Sequence, residues 1–182
     1  MDDHAALLKL LHDRSIRHGD FTLASGARST YYIDARPTTM SAEGLHLIGR
    51  LGLAAIRERG WVPAAVGGLT MGADPVAYAV ALASRASAPP IDAFSVRKEA
   101  KGHGTKRRVE GNFRPGDAVV VVEDVITSGG SALQAIAAVQ EEGGRVVGVL
   151  AVVDREQGGR AVLEERGHPV AALTTVTELG LR

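Results

Sequence analysis

The sequence predicts an α/β fold with a mostly parallel central sheet flanked by helices. Three features carry that expectation. Strand-like and helix-like segments alternate along most of the 182 residues. The strand segments are near-continuous apolar runs, Val119-Val120-Val121-Val122 above all, as in strands covered on both faces. That run is followed by a short loop of Thr, Ser and Gly and then by a helical pattern, which is the order of a strand-helix unit in a parallel sheet.

The elements follow in order. Residues 2–17 read as an amphipathic helix with Leu7, Leu8, Leu10 and Leu11 on its apolar stripe. Short strands are expected at 21–24 and 30–35, around Ser25-Gly26. Ser41 can cap a helix running through Arg59 and closed by Gly60. Ala64 to Gly68 is a strand, and Pro75 suits the first turn of a helix reaching about Ser84. Ile91 to Val96 is a strand. Residues 97–116 are polar, charged and Gly-containing, with no sustained apolar period. Residues 117–123 form the next strand, and a helix opens at Ser131 and runs to Glu142. A strand at Arg145–Val153, a helix at Gly159–Arg166 and a strand at Pro169–Val176 complete the chain. There is no internal repeat or interdomain linker, so one domain over 1–182 is expected.

Composition narrows the function classes. Apolar residues make up 45% and charged residues 23%, ordinary for a globular domain. The 21 basic and 21 acidic residues cancel, which argues against a general nucleic-acid binder, where a basic excess supplies affinity. With no Cys there is no disulfide framework, thiolate nucleophile or zinc–thiolate site. The start Met1-Asp2-Asp3 is not a basic n-region, and no apolar run is long enough to span a bilayer, so a cytoplasmic protein is expected.

The stretch from Val119 to Ala132 carries the most chemistry. Its strand ends in Glu123-Asp124, and Thr127-Ser128-Gly129-Gly130 leads into the helix at Ser131. Such a loop presents backbone N–H groups at the positive end of a helix dipole and suits a phosphate. The acidic pair suits hydroxyl donors or a cation. A ligand with a phosphate at one end and a diol in the middle would satisfy both. The loop is not a Walker A motif, which needs Gly-Lys-Ser/Thr, and no G-x-G-x-x-G follows the strand. The plainer reading is a strand-turn-helix whose acidic pair only caps the helix.

This stretch resembles the phosphoribosyl-pyrophosphate (PRPP) binding motif of type I phosphoribosyltransferases. Four other stretches resemble one branch of them, the orotate phosphoribosyltransferases. Arg97-Lys98-Glu99-Ala100-Lys101-Gly102-His103-Gly104 is similar to that family's catalytic loop. On its own a basic loop is more often simply solvated. Phe21-Thr22-Leu23-Ala24-Ser25-Gly26 and Ser29-Thr30-Tyr31-Tyr32-Ile33-Asp34 are similar to its N-terminal signature, which forms a hood over the pyrimidine; alone they would pass for a hairpin with core aromatics. Gly67 to Pro75 resembles its pyrophosphate loop, and Val153-Asp154-Arg155-Glu156 resembles the segment whose Arg pairs with the base carboxylate.

The resemblance implies the type I phosphoribosyltransferase fold, with a small hood over about 1–40 and a flexible catalytic loop over about 97–113. It implies transfer of phosphoribose from PRPP to orotate, giving orotidine 5-monophosphate and pyrophosphate, in pyrimidine (UMP) biosynthesis. PRPP would be bound by Thr70, Met71, Arg97, Lys98, Lys101, His103, Glu123, Asp124, Val125, Ile126, Thr127, Ser128, Gly129, Gly130 and Ser131. Lys101, His103 and Asp124 would be catalytic, and Tyr32, Ile33, Thr127 and Arg155 would hold orotate. It further implies Mg²⁺ held mainly by PRPP and water, with no direct protein ligand, and a homodimer whose loop reaches into the partner's site. The chain departs from the pattern at Ala24 and Met71, where many members carry Lys. It departs also at Gly102, where some are acidic, and at Glu123, where Asp is common. Three other readings stay open: a transferase for a purine base, a PRPP-binding regulator without catalysis, and a structural α/β domain. Turnover separates the first two, and PRPP binding separates both from the third.

Overall fold

A computed structural model describes residues 2–22, 28–99 and 107–181. Helix α1 (Asp3–Ser15) is capped by Asp2, whose carboxylate accepts from the His4 N–H at 2.7 Å. It buries Leu7, Leu10 and Leu11. Strands β1 (Ile16–Thr22) and β2 (Arg28–Ile33) form an antiparallel pair outside the main sheet. A single turn, α2 (Arg36–Thr39), leads to α3 (Ala42–Glu58), whose cap is Ser41, its Oγ accepting from Gly44 N–H at 3.0 Å.

The main sheet contains β3 (Ala65–Leu69), β4 (Asp92–Val96), β5 (Val109–Gly111), β6 (Ala118–Ile126), β7 (Arg145–Asp154) and β8 (Val170–Thr175). Its order is β5-β4-β3-β6-β7-β8, parallel throughout except for β5, which runs antiparallel to β4. Helices α4 (Ala73–Ser84), α5 (Gly130–Glu141) and α6 (Gly159–Glu165) make the crossovers. Val119 through Val122 are completely buried because both faces of β6 are covered. Val120 and Val122 pack with α1, α3 and α4, and Val119 and Val121 pack with α5 and Leu163 of α6. From β3 the chain goes outward to β4, then returns to place β6 on the other flank of β3. That reversal opens a crevice beyond the carboxyl ends of β3 and β6, where α/β sheets bind ligands.

The differences from the sequence reading have local causes. The first helix ends at Ser15 rather than 17, and the hood strands are Ile16–Thr22 and Arg28–Ile33 rather than 21–24 and 30–35. Arg17-His18-Gly19-Asp20 has no apolar alternation; Arg17 and His18 pair with Tyr32 and Tyr31, and pairing resumes at Phe21 after a shift of register. Strand β5 lies within residues 97–116, which have no sustained apolar period; its three residues are held by pairing with Phe94–Val96. Strand β6 continues three residues past Glu123, so the acidic pair lies within the strand.

Candidate active site

Strand β6 enters the loop at Thr127 and emerges into α5, and Glu123 with Val125–Ala132 lines a cavity of about 100 Å³ there. Gly129 caps α5 at φ +80°, and no side chain caps the helix. The first N–H groups of α5 therefore have no side-chain acceptor and face an anion-sized space. Behind the loop, Gly159 donates its N–H to Thr127 O at 3.0 Å. A Cβ at Gly159 would stand 2.5 Å from that same oxygen, so the glycine is what lets α6 brace the loop.

The two carboxylates diverge, because successive strand residues point to opposite faces. Glu123 turns into the loop cavity. Asp124 turns toward the β3–α4 loop, where a Cβ on Gly72 would come within 2.6 Å of its Oδ1. Glu123 is 7% exposed, and its Oε1 is buried with no hydrogen-bond partner. Burial, with a smaller contribution from the Asp124 charge, pushes its pKa up to about 8. Burial also raises the pKa of Asp124, against the pull of its hydrogen bond from Val125 N–H at 2.9 Å. A buried carboxyl group without a partner is costly and is a site marker.

Arg155 follows the last residue of β7 and donates its N–H to Ile126 O at 2.9 Å, which sets it beside the phosphate-type loop. It is 8% exposed, yet Nε and Nη2 have no partner. Its guanidinium lies 5.5 Å from the centre of the Tyr31 ring. A fork of buried, unpaired donors beside an aromatic face suits a planar ligand bearing a carboxylate.

The other expected residues sort as follows. Thr70 and Met71 lie in the β3–α4 loop at the same end of the sheet; Thr70 N–H donates to Val96 O at 2.9 Å, and Met71 is 62% exposed. Arg97 pairs with Glu110 at 3.1 Å and Lys98 is exposed, both at the end of β4. Lys101 and His103, with Ala24 and Gly102, lie outside the described residues. Ile33 is buried in the core, and Tyr32 faces outward at 41% exposure with its ring 5.7 Å from Phe21. The aromatic beside Arg155 is therefore Tyr31, which the sequence reading passed over. Strand alternation, placing Tyr31 with Ile33 on the inner face, was the available signal. Gly72 and Gly159, which shape the site by lacking a side chain, were also missed as shaping residues.

No family model matches the chain. An orotate phosphoribosyltransferase of Aquifex aeolicus is 47% identical over 182 residues, covering 98% of each chain. The crystal structure of Mycobacterium tuberculosis H37Rv orotate phosphoribosyltransferase in complex with Fe(III) dicitrate matches with a TM-score of 0.88 at 45% identity, covering 99% of this chain and 100% of that one. The chain belongs to the orotate phosphoribosyltransferase family. The same mycobacterial enzyme in complex with PRPP matches with a TM-score of 0.84 at 41% identity, covering 99% of this chain and 100% of that one. Membership in the orotate phosphoribosyltransferases fits the site: a loop cradle, a divergent acidic pair and a buried arginine within one crevice. Among the described residues, no helix is long and apolar enough to cross a membrane.

The Glu123 environment gives a pH test. Below about pH 4.5 the folded and unfolded chains both hold this proton, and it carries no penalty. From about 4.5 to about 8 the unfolded chain loses a proton that the folded chain keeps, so stability falls, and above about 8 the penalty is constant. The urea midpoint of wild type is expected to drop across that window by more than that of Glu123→Gln. Parallel curves for the two proteins would refute the unpartnered, buried carboxyl.

Proposed function

We propose that this chain is an orotate phosphoribosyltransferase, transferring the phosphoribosyl group of PRPP to N1 of orotate and releasing pyrophosphate, a step of pyrimidine (UMP) biosynthesis. The observation that carries the choice of base is the buried, unpaired fork of Arg155 beside Tyr31. A purine base has no carboxylate to occupy it, and a regulator needs no such fork.

The loop from Thr127 to Ser131 holds the 5-phosphate on the N–H groups that open α5. Glu123 and Asp124, from opposite faces of β6, take the ribose hydroxyls, and their divergence suits two hydroxyls approached from different sides. Asp124 also stands near the developing positive charge of the ribose. Arg155 fixes the orotate carboxylate, with Thr127 beside it and the hood covering the ring, so that N1 is held in line with the anomeric carbon. The Thr70-Met71 loop with Arg97, Lys98, Lys101 and His103 receives the pyrophosphate, where cations stabilise the charge that develops on the leaving group. No covalent intermediate is required.

Among the described residues no three His, Cys, Asp or Glu side chains converge on a cation site. The proposed Mg²⁺ would be carried by PRPP and water, with Glu123 and Asp124 as carboxylates of the same crevice. The ion supplies neutralisation of the pyrophosphate charge.

The proposed assembly is a homodimer through the α3/α4 face. A groove of about 710 Å³ there is lined by Leu45, Leu53, Tyr78 and Leu82, and Leu82 is 75% exposed. A second apolar hollow, with Met40, Met71 and Tyr78, continues it to the pyrophosphate loop. A second copy seated on this face would bring its own 97–113 loop to the site, and Lys101 and His103 would act across the interface.

The direct test is orotate consumption by purified protein with PRPP and Mg²⁺, with hypoxanthine and adenine in parallel. Orotate-specific turnover is expected. PRPP binding without turnover would point to a regulator instead, and turnover of a purine would overturn the choice of base. Lys101→Ala is expected to lower kcat on the order of 10²–10³-fold while leaving orotate binding within a few-fold. Equal losses in both would remove Lys101 from its role at the leaving group.

A further inference from the structure

We infer that Glu156, through Thr177 of the C-terminal turn, is a positioning residue that sets how tightly Arg155 holds the base carboxylate; this rests on the reading of Arg155 as the orotate ligand. Glu156 is the one non-glycine among the described residues with positive φ, at +53°. A branched or long side chain adopts that region only where the surroundings impose it, and such outliers cluster at binding sites.

A set of hydrogen bonds imposes it. The Glu156 carboxylate accepts two hydrogen bonds at one oxygen, from Thr177 N–H at 2.9 Å and Thr177 Oγ1 at 2.5 Å. Its own N–H donates to Asp154 Oδ1 at 2.9 Å, and the other oxygen of Asp154 takes Arg160 Nε at 2.7 Å. Asp154 is buried, and its backbone O accepts from Val176 N–H at 3.0 Å. Thr177 thus sits on a turn anchored in the core by Val176 and Leu179. Arg155 stands between two residues that are each fixed, while its own guanidinium has two unpaired nitrogens. The fork packs against Tyr31 but has no hydrogen-bond partner at Nε or Nη2, so the backbone setting takes part in deciding where it points.

The consequence is specific. Releasing Glu156 lets the peptide after Arg155 relax out of the left-handed region and turns the fork away from its target. The loss falls on recognition of the carboxylate and leaves the PRPP cradle, held by β6 and α6, in place.

The test uses the full chain in steady-state assays with orotate and PRPP varied separately. Glu156→Ala is expected to raise the KM for orotate about tenfold, the worth of one charge-assisted hydrogen bond, and Glu156→Gly, which takes positive φ without strain, by less. The kcat and the KM for PRPP should stay within about twofold. Glu156→Gln, whose amide oxygen still accepts both Thr177 donors, should restore wild-type behaviour, and Thr177→Val, which keeps the N–H, should fall between. Inhibition by uracil, which lacks the carboxylate, should not change in any variant. An unchanged orotate KM in Glu156→Ala overturns the inference. So does a loss shared by orotate, PRPP and kcat with a lowered melting temperature. Failure of the wild type to use orotate would instead overturn the reading of Arg155, and the inference with it.

Discussion

Strand β6 is the constraint on which the molecule turns. Its valines 119 to 122 are buried on both faces, each stabilising the fold by roughly 1.5–3 kcal/mol, and that burial fixes the register of the strand against β3 and β7. The same register carries Glu123 to a place where the sheet is still dry but the valines have run out. The carboxyl group is left buried with an unpartnered oxygen, which an isolated fold would not favour. The apolar strand supplies the stability that keeps this group in position, and the loop beyond it supplies the space for what it lacks.

Arg155, just past the end of the neighbouring strand β7, is the counterpart. It too is buried, polar and incompletely satisfied, and it reaches the site because Ile126 O anchors its backbone to the end of β6. One group is an acid whose charge burial disfavours, the other a guanidinium fork with two unpaired nitrogens. The loop that opens α5 lies beside both. A phosphate, a diol and a carboxylate, in that order of position, satisfy the three, and the glycines at 72, 129 and 159 leave the room to approach. Such pre-set, unsatisfied groups are the form in which a fold stores binding energy for a ligand.

Much of this was legible in the chain. The buried valines, the acidic pair and the Thr-Ser-Gly-Gly loop announce themselves by residue type and order, and Ser41 signals its helix by capping chemistry that is local. The parts not legible depend on partners distant in sequence. Strand β5 exists only through Phe94–Val96, and Arg17 and His18 are strand through Tyr32 and Tyr31. The acidic pair was visible, but its divergence needed the strand to run on to Ile126, a length set by pairing with Asp154. Tyr31 was displaced by Tyr32 for the same reason: which of two adjacent aromatics faces inward is settled by the register of a hairpin. Glu156 carries no signal in its residue type, because its conformation follows from Thr177, twenty-one residues away.

Burial makes the fold favour the neutral form of Glu123 until hydroxyl donors reach it. Donation to the ionised carboxylate favours that form, so a proton held at about pKa 8 should leave near pH 7 when PRPP binds. The measurement is calorimetric titration of PRPP with Mg²⁺ into wild type and Glu123→Gln at pH 7, in two buffers of different ionisation enthalpy. Wild type is expected to release more protons per site than the variant, by a value approaching one. Equal proton numbers for the two proteins would contradict it.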